Sequence, residues 1–275
     1  MATIRGVLDR YGAAGGSLLA GGLAYSALFA IVPLTALMAG IVGLVVDDEA
    51  RRAAVVAVIA DVLPPLRDVV RVVLDEAAGA AGTISVLGGL TLTWGASRFA
   101  VAFEDAMRRI FGGEERRGFV RRNAAALVAV LGLIGVAILG AVLAGLSSFL
   151  DAAEARGGAV VGFVVGAVLA VMPSLLAVAS VTLVFRLVPV SAPGWRAILP
   201  PAIAVALALT ILTRVFVFIA PRLVGAAATI GTLATAFAAL AWLSLSFQAI
   251  LLGAAWVRQR DADWGATTMA RTPGS

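Results

Sequence analysis

The chain is a succession of apolar segments, each long enough to cross a bilayer, joined by short connections whose arginines fall mostly on alternate ones. A helix needs about 20 mainly apolar residues to cross the hydrocarbon core of a membrane. Six segments meet that length, at about 21–46, 82–103, 124–150, 158–185, 198–220 and 226–257. The expected fold is therefore all-α, a polytopic bundle of six transmembrane helices. Composition agrees: 61% of residues are hydrophobic and 13% charged, with a mean hydropathy of +1.04, whereas roughly a quarter of a soluble domain is charged. No internal period or polar linker divides the 275 residues, so residues 1–257 read as one membrane domain and 258–275 as a flexible cytoplasmic tail.

The chain has neither cysteine nor histidine. That removes disulfides, thiolate and imidazole metal ligands, cysteine nucleophiles and the usual general base. No enzymatic activity, metal site or cofactor is expected. All 21 basic residues are arginine, which with the abundant Ala and Gly points to a GC-rich bacterial genome. The net charge of +5 is spread over several loops without interleaved aromatics, so nucleic acid is not an expected partner.

Arg5 and Arg10 precede an apolar stretch as in a signal peptide, but 21–46 is too long for a signal core and reads as a retained first span. The polar start from Met1 to Arg10 suits a short interfacial helix. Pro33 lies within span one, where it removes a backbone hydrogen bond and makes either a static kink or a hinge. Between spans one and two, residues 50–80 are too short and too polar to cross. Leu66, Val69, Val70, Val73, Leu74 and Ala77 fall on one helical side and Arg67, Asp68, Arg71 and Asp75 on the other, which predicts an extracytoplasmic amphipathic lid. In span four Gly158, Gly162 and Gly166 form a smooth strip for helix packing.

Cytoplasmic loops carry the excess of positive charge. With both termini inside, Arg5, Arg10, Arg108, Arg109, Arg116, Arg117, Arg121, Arg122, Arg186, Arg196, Arg258, Arg260 and Arg271 are cytoplasmic, against Arg51, Arg52, Arg67, Arg71, Arg156 and Arg222 outside, a 13 to 6 split. The chain is expected in the bacterial inner membrane with both termini cytoplasmic.

Arg98 and Arg214 lie within predicted spans, and an ionisable residue inside a membrane is a functional candidate. Arg98 is roughly 8 Å from the cytoplasmic end of span two, within snorkelling reach. Arg214 either snorkels outward or turns into a polar cavity, where a guanidinium would bind phosphate. Milder polar groups are Tyr25 and Ser26 in span one, Thr91, Thr93, Trp94 and Ser97 in span two, and Thr229, Thr232, Ser244, Ser246 and Gln248 in span six. They either bond helix to helix or line a groove for a ligand with a polar head and apolar tail. No Walker loop or buried acidic relay indicates energy coupling.

The run Ala24-Tyr25-Ser26-Ala27-Leu28-Phe29-Ala30-Ile31-Val32-Pro33-Leu34 resembles the opening of the YihY/BrkB family of bacterial inner-membrane proteins. So do Trp94-Gly95-Ala96-Ser97-Arg98, Arg108-Arg109-Ile110-Phe111, Glu115-Arg116-Arg117-Gly118-Phe119, Phe185-Arg186-Leu187-Val188-Pro189, Trp195-Arg196-Ala197-Ile198-Leu199-Pro200, the stretch around Ile230-Gly231-Thr232-Leu233, Trp242, and Leu251-Leu252-Gly253-Ala254. The similarity covers about residues 5–257 in order. The chain departs from the family pattern at Ile230-Gly231, commonly Tyr-Gly, and at Ala255, commonly Glu. The resemblance implies six transmembrane helices in a family labelled virulence factor, ribonuclease BN, and envelope or lipid transporter. The ribonuclease label fits poorly, because the cytoplasmic acids Glu104-Asp105 and Glu114-Glu115 sit among arginines and make no metal site.

The resulting expectation is a transporter of lipids or other amphiphiles, with a groove along spans one, two, five and six. Tyr25, Trp94, Arg98, Arg214 and Thr232 are the candidate substrate contacts, and Pro33 and Gly231 the flexible points. Membrane lipids are the expected partners, and a non-transporting scaffold that docks another envelope protein is the rival reading.

Overall fold

Six helices make up the described part of the chain, which in this computed structural model comprises residues 4–45, 84–112, 159–189, 193–226 and 232–270. They are α1 (Ile4–Ala13), α2 (Gly16–Val45), α3 (Ile84–Phe111), α4 (Ala159–Leu187), α5 (Trp195–Ala226) and α6 (Thr232–Ala270). No strand occurs among the described residues. The expected third span at 124–150 and the lid at 50–80 lie outside them.

Local chemistry sets the helix ends. Gly15 and Gly112 adopt φ of 69° and 74°, a left-handed conformation that costs a residue without Cβ little and that stops a helix. The Gly112 N–H still donates to the Arg108 carbonyl at 2.9 Å, closing α3, whose last turn carries Arg108 and Arg109 where cations suit the helix dipole. At Gly15 the chain turns, so that α1 meets Gly16–Ala30 at 61°. A helix thus forms at the expected N-terminal place, shifted to Ile4–Ala13.

Two stretches among the described residues, Trp195–Ile219 and Ala236–Asp263, are long and apolar enough to cross a membrane, and α1 with Gly16–Ala30 adds a third if the bent pair is one span. These are candidates for two or three of the six expected crossings. Helix α3 continues beyond Phe103 to Phe111 because Ala106, Met107, Ile110 and Phe111 are buried in the bundle. Helix α6 runs past Val257 to Ala270, through residues expected to be a flexible tail; 271–275 lie outside the described residues. Arg258, Arg260 and Asp261 in that stretch bond to other helices or to the turn before α5.

Helix α6 is the hub. Among the described residues it packs on all five others, while α2 pairs with α3 and α4 with α5, and no extensive contact joins one pair to the other. Its most apolar stretch is 39% buried, against 17% for α5. Small residues allow the close approach: Ala20, Ala24, Ala27 and Ala30 line the buried face of α2 around Leu23, the small-residue packing that substitutes for a hydrophobic driving force in lipid. Phe99 and Phe103 of α3 pack on Phe247 of α6, with ring centroids 5.8 and 6.3 Å apart.

Candidate functional site

Most of the described arginines gather at one end of the bundle, and three of them bond open backbone carbonyls there. Arg258 Nε donates to the Phe111 carbonyl at 2.9 Å, one of the last carbonyls of α3 and so without an intrahelical partner. Arg260 Nη2 donates to the Arg196 carbonyl at 3.3 Å. That acceptor is open because Pro200, four residues on, has no N–H to offer. Arg186 donates to the Pro193 carbonyl, with its guanidinium 5.2 Å from the Trp195 ring centroid. Asp261 accepts from the Gly194 N–H at 3.3 Å, placing a carboxylate at the N-terminus of α5, where the dipole favours it.

At this same end α1 crosses α6 so tightly that a Cβ on Gly6 would lie 2.5 Å from the Gln259 amide. The start of α1, the end of α3, the α4–α5 turn and the end of α6 therefore share one face of the molecule. Burial pushes the Tyr11 phenol above its usual value of 10.0, and its hydroxyl has no hydrogen-bond partner among the described residues.

Beyond that crossing α6 keeps one face partly open, with Phe237, Ala241 and Leu245 exposed and Ser244, Gln248 and Leu252 half-buried. Phe237, Ala241, Ser244, Leu245, Gln248 and Leu252 recur at helical spacing along a single stripe, which ends at Gln259 beneath α1. Phe237 is 69% and Leu245 48% exposed, and Ala241 is exposed with them. Within this apolar lane Gln248 Nε2 donates to Ser244 Oγ at 3.4 Å. The other side of α6 is closed: a Cβ on Gly253 would lie 2.3 Å from Val205 and 2.9 Å from Phe185.

Tyr25 is 61% exposed on α2, its ring 4.8 Å from that of Phe29. Arg98 is exposed on α3 and engaged with a neighbour. Because α3 extends to Phe111, Arg98 stands about 20 Å along the axis from the helix end at 1.5 Å per residue, with the charged Glu104, Asp105, Arg108 and Arg109 in between. Arg214 is exposed on α5, apart from both, since α6 lies between α5 and the α2–α3 pair. Trp94 and Thr232 belong to α3 and α6, but their side chains lie outside the described residues, as do Gly231 and Gly158. Pro33 is contained in α2 and Gly162 and Gly166 in α4.

Sequence reasoning treated Gly253 only as part of a shared motif and Arg222 only as a loop charge. The first needed the neighbouring helices to be seen. The second could have been read from the spacing of Arg214, Phe218 and Arg222, each one turn from the next.

A family model described as "Virulence factor BrkB" matches residues 7–272. A UPF0761 membrane protein of Rhodospirillum rubrum is 31% identical over 242 residues, 86% of this chain and 53% of that protein. The chain thus spans about half the length of that relative. No solved structure matches.

Proposed function

The chain belongs to the BrkB family and is a membrane protein, and from that premise we propose that it carries an amphiphile across the bilayer, in the first instance a phospholipid or related envelope lipid. The observation that carries the proposal is the partly open face of α6. Apolar residues facing lipid are ordinary for a membrane helix; a hydroxyl and an amide among them are not. Helix α6 leaves a lane in which Ser244 and Gln248 lie between Phe237, Ala241, Leu245 and Leu252. Moving an unpartnered polar group into hydrocarbon costs several kcal/mol, and a hydroxyl and an amide along the path lower that cost while the apolar residues accompany the acyl chains.

The proposed setting is the bacterial inner membrane, with the arginine-rich end cytoplasmic as the positive-inside rule requires. Both α1 and the end of α6 would then face the cytoplasm. The test uses liposomes carrying a fluorescent phospholipid and a membrane-impermeant quencher. Quenching well beyond half of the label, with empty liposomes protected, is the expected result, and Ser244→Leu with Gln248→Leu should slow it severalfold. Protection equal to that of empty liposomes would reject passive lipid movement and favour a scaffold for another envelope protein.

A further inference from the structure

The far half of α5 presents a second lane, separate from α6. Ile203, Leu207, Ile211, Arg214, Phe218 and Arg222 fall along its outward face, all exposed, opposite the buried Ile198, Ala202 and Val205. The apolar part of the lane suits acyl chains; its end does not. Arg214 stands about 27 Å along the axis from Arg196 at 1.5 Å per residue, close to the roughly 30 Å of a hydrocarbon core. With Arg196 held at the charged end, Arg214 falls at the opposite headgroup boundary.

At that boundary a guanidinium reaches the headgroup layer and can pair there. Helix α5 contains no acidic residue, and Arg214 has no ion-pair partner among the described residues. Two turns beyond, Arg222 lies with its guanidinium carbon 3.8 Å from the Phe218 ring centroid and gives one N–H to the Phe218 carbonyl. That fixes the group beside the lane and leaves further donors of its fork free.

We propose that Arg214, Phe218 and Arg222 form a binding site for the phosphodiester of a phospholipid in the leaflet farther from the charged end. Two guanidinium groups supply the charge-assisted bonds that phosphate oxygens accept, and the lane below holds the chains. The inference rests on family membership and on α5 crossing the bilayer, not on lipid transport.

Native mass spectrometry of the full chain in detergent, titrated with dimyristoylphosphatidylglycerol, tests it. Losing charge-assisted bonds at both positions should reduce retained phospholipid about tenfold or more in the Arg214→Gln, Arg222→Gln double variant. Dimyristoylglycerol, with the same chains and no phosphate, should bind both proteins equally. Arg5→Gln, at the other end, should retain phospholipid as the parent does. Arg214→Lys keeps the charge without the fork and should lose part of the retention, which provides a reading if the double variant fails to fold. Equal retention by parent and double variant, or by parent and Arg214→Lys if that alone folds, would overturn the site. Displacement of the lipid by inorganic phosphate would overturn a lipid in favour of a free anion. Retention without transbilayer movement in liposomes would keep this site and reject transport.

Discussion

The two ends of α5 use the same residue type in opposite ways. Near its start, arginines from α4 and α6 reach carbonyls left open by a turn and by Pro200, and Asp261 takes up the Gly194 N–H. Toward its other end, Arg222 bonds within its own turn and Arg214 faces outward. Arginine therefore ties helices together at the first end and bonds within α5 or faces outward at the second. The burial pattern follows the same division. Ile198, Pro201, Ala202, Val205 and Ala206 are buried along the first half of α5, whereas Val215, Val217, Phe218 and Ile219 are exposed along the second.

The contrast breaks most severely at Gly253. A side chain there would enter space held by Val205 and Phe185, and overpacking typically costs 1–3 kcal/mol or more. Gly253→Leu should lower the thermal midpoint in detergent by many degrees, whereas Ile211→Ala, on the exposed lane, should leave it nearly unchanged. An unaffected Gly253→Leu would mean that the anchored half is looser than its geometry implies.

A smaller effect is expected from Arg258→Ala. Phe111 would lose its only described long-range donor, and hydrogen bonds to charged groups contribute about 1.5–3 kcal/mol. Arg214→Ala should cost far less stability, and denaturant unfolding of the two variants side by side measures the difference. Equal losses would erase the distinction between tying and outward-facing arginines.

The smallest effect belongs to Tyr11. Its buried hydroxyl lacks a described partner, so Tyr11→Phe should be neutral or slightly stabilising. Because folding raises the phenol pKa above 10.0, the neutral form favours the docked α1. That contribution is complete below pH 10.0 and is lost as pH rises through the folded value. Proteolysis of α1 should accelerate at alkaline pH in the parent and not in Tyr11→Phe. Identical profiles would show that α1 docking does not depend on this group.

Much of the architecture was legible along the chain. Hydropathy roughly located the described helices, and the alternation of arginine-rich connections anticipated that residues near 10, 111, 190 and 260 share one end, because charge excluded from hydrocarbon has to collect at its boundaries. Helix ends were less legible. Arg258, Arg260 and Asp261 read as a polar tail, yet they complete the backbone bonding of α3 and α5, and the partners that keep them helical are distant in sequence. The candidate contacts were also legible as residue types but not as a set: Tyr25, Arg98 and Arg214 share the signature of polar groups in apolar spans, and their separation across α6 depends on which helices pair.

The sequence by itself determined that this is an apolar helical protein, roughly where its described helices lie, and which connections are basic, since these follow from local hydropathy and charge. Only the tertiary structure decided that α6 is the hub, that its Ser244–Gln248 face stays partly open while its Gly253 face closes, and that Arg214 and Arg222 end an outward lane. A helix carries polar and small residues on several faces at once, and which face is covered depends on partners whose contacts local sequence does not specify.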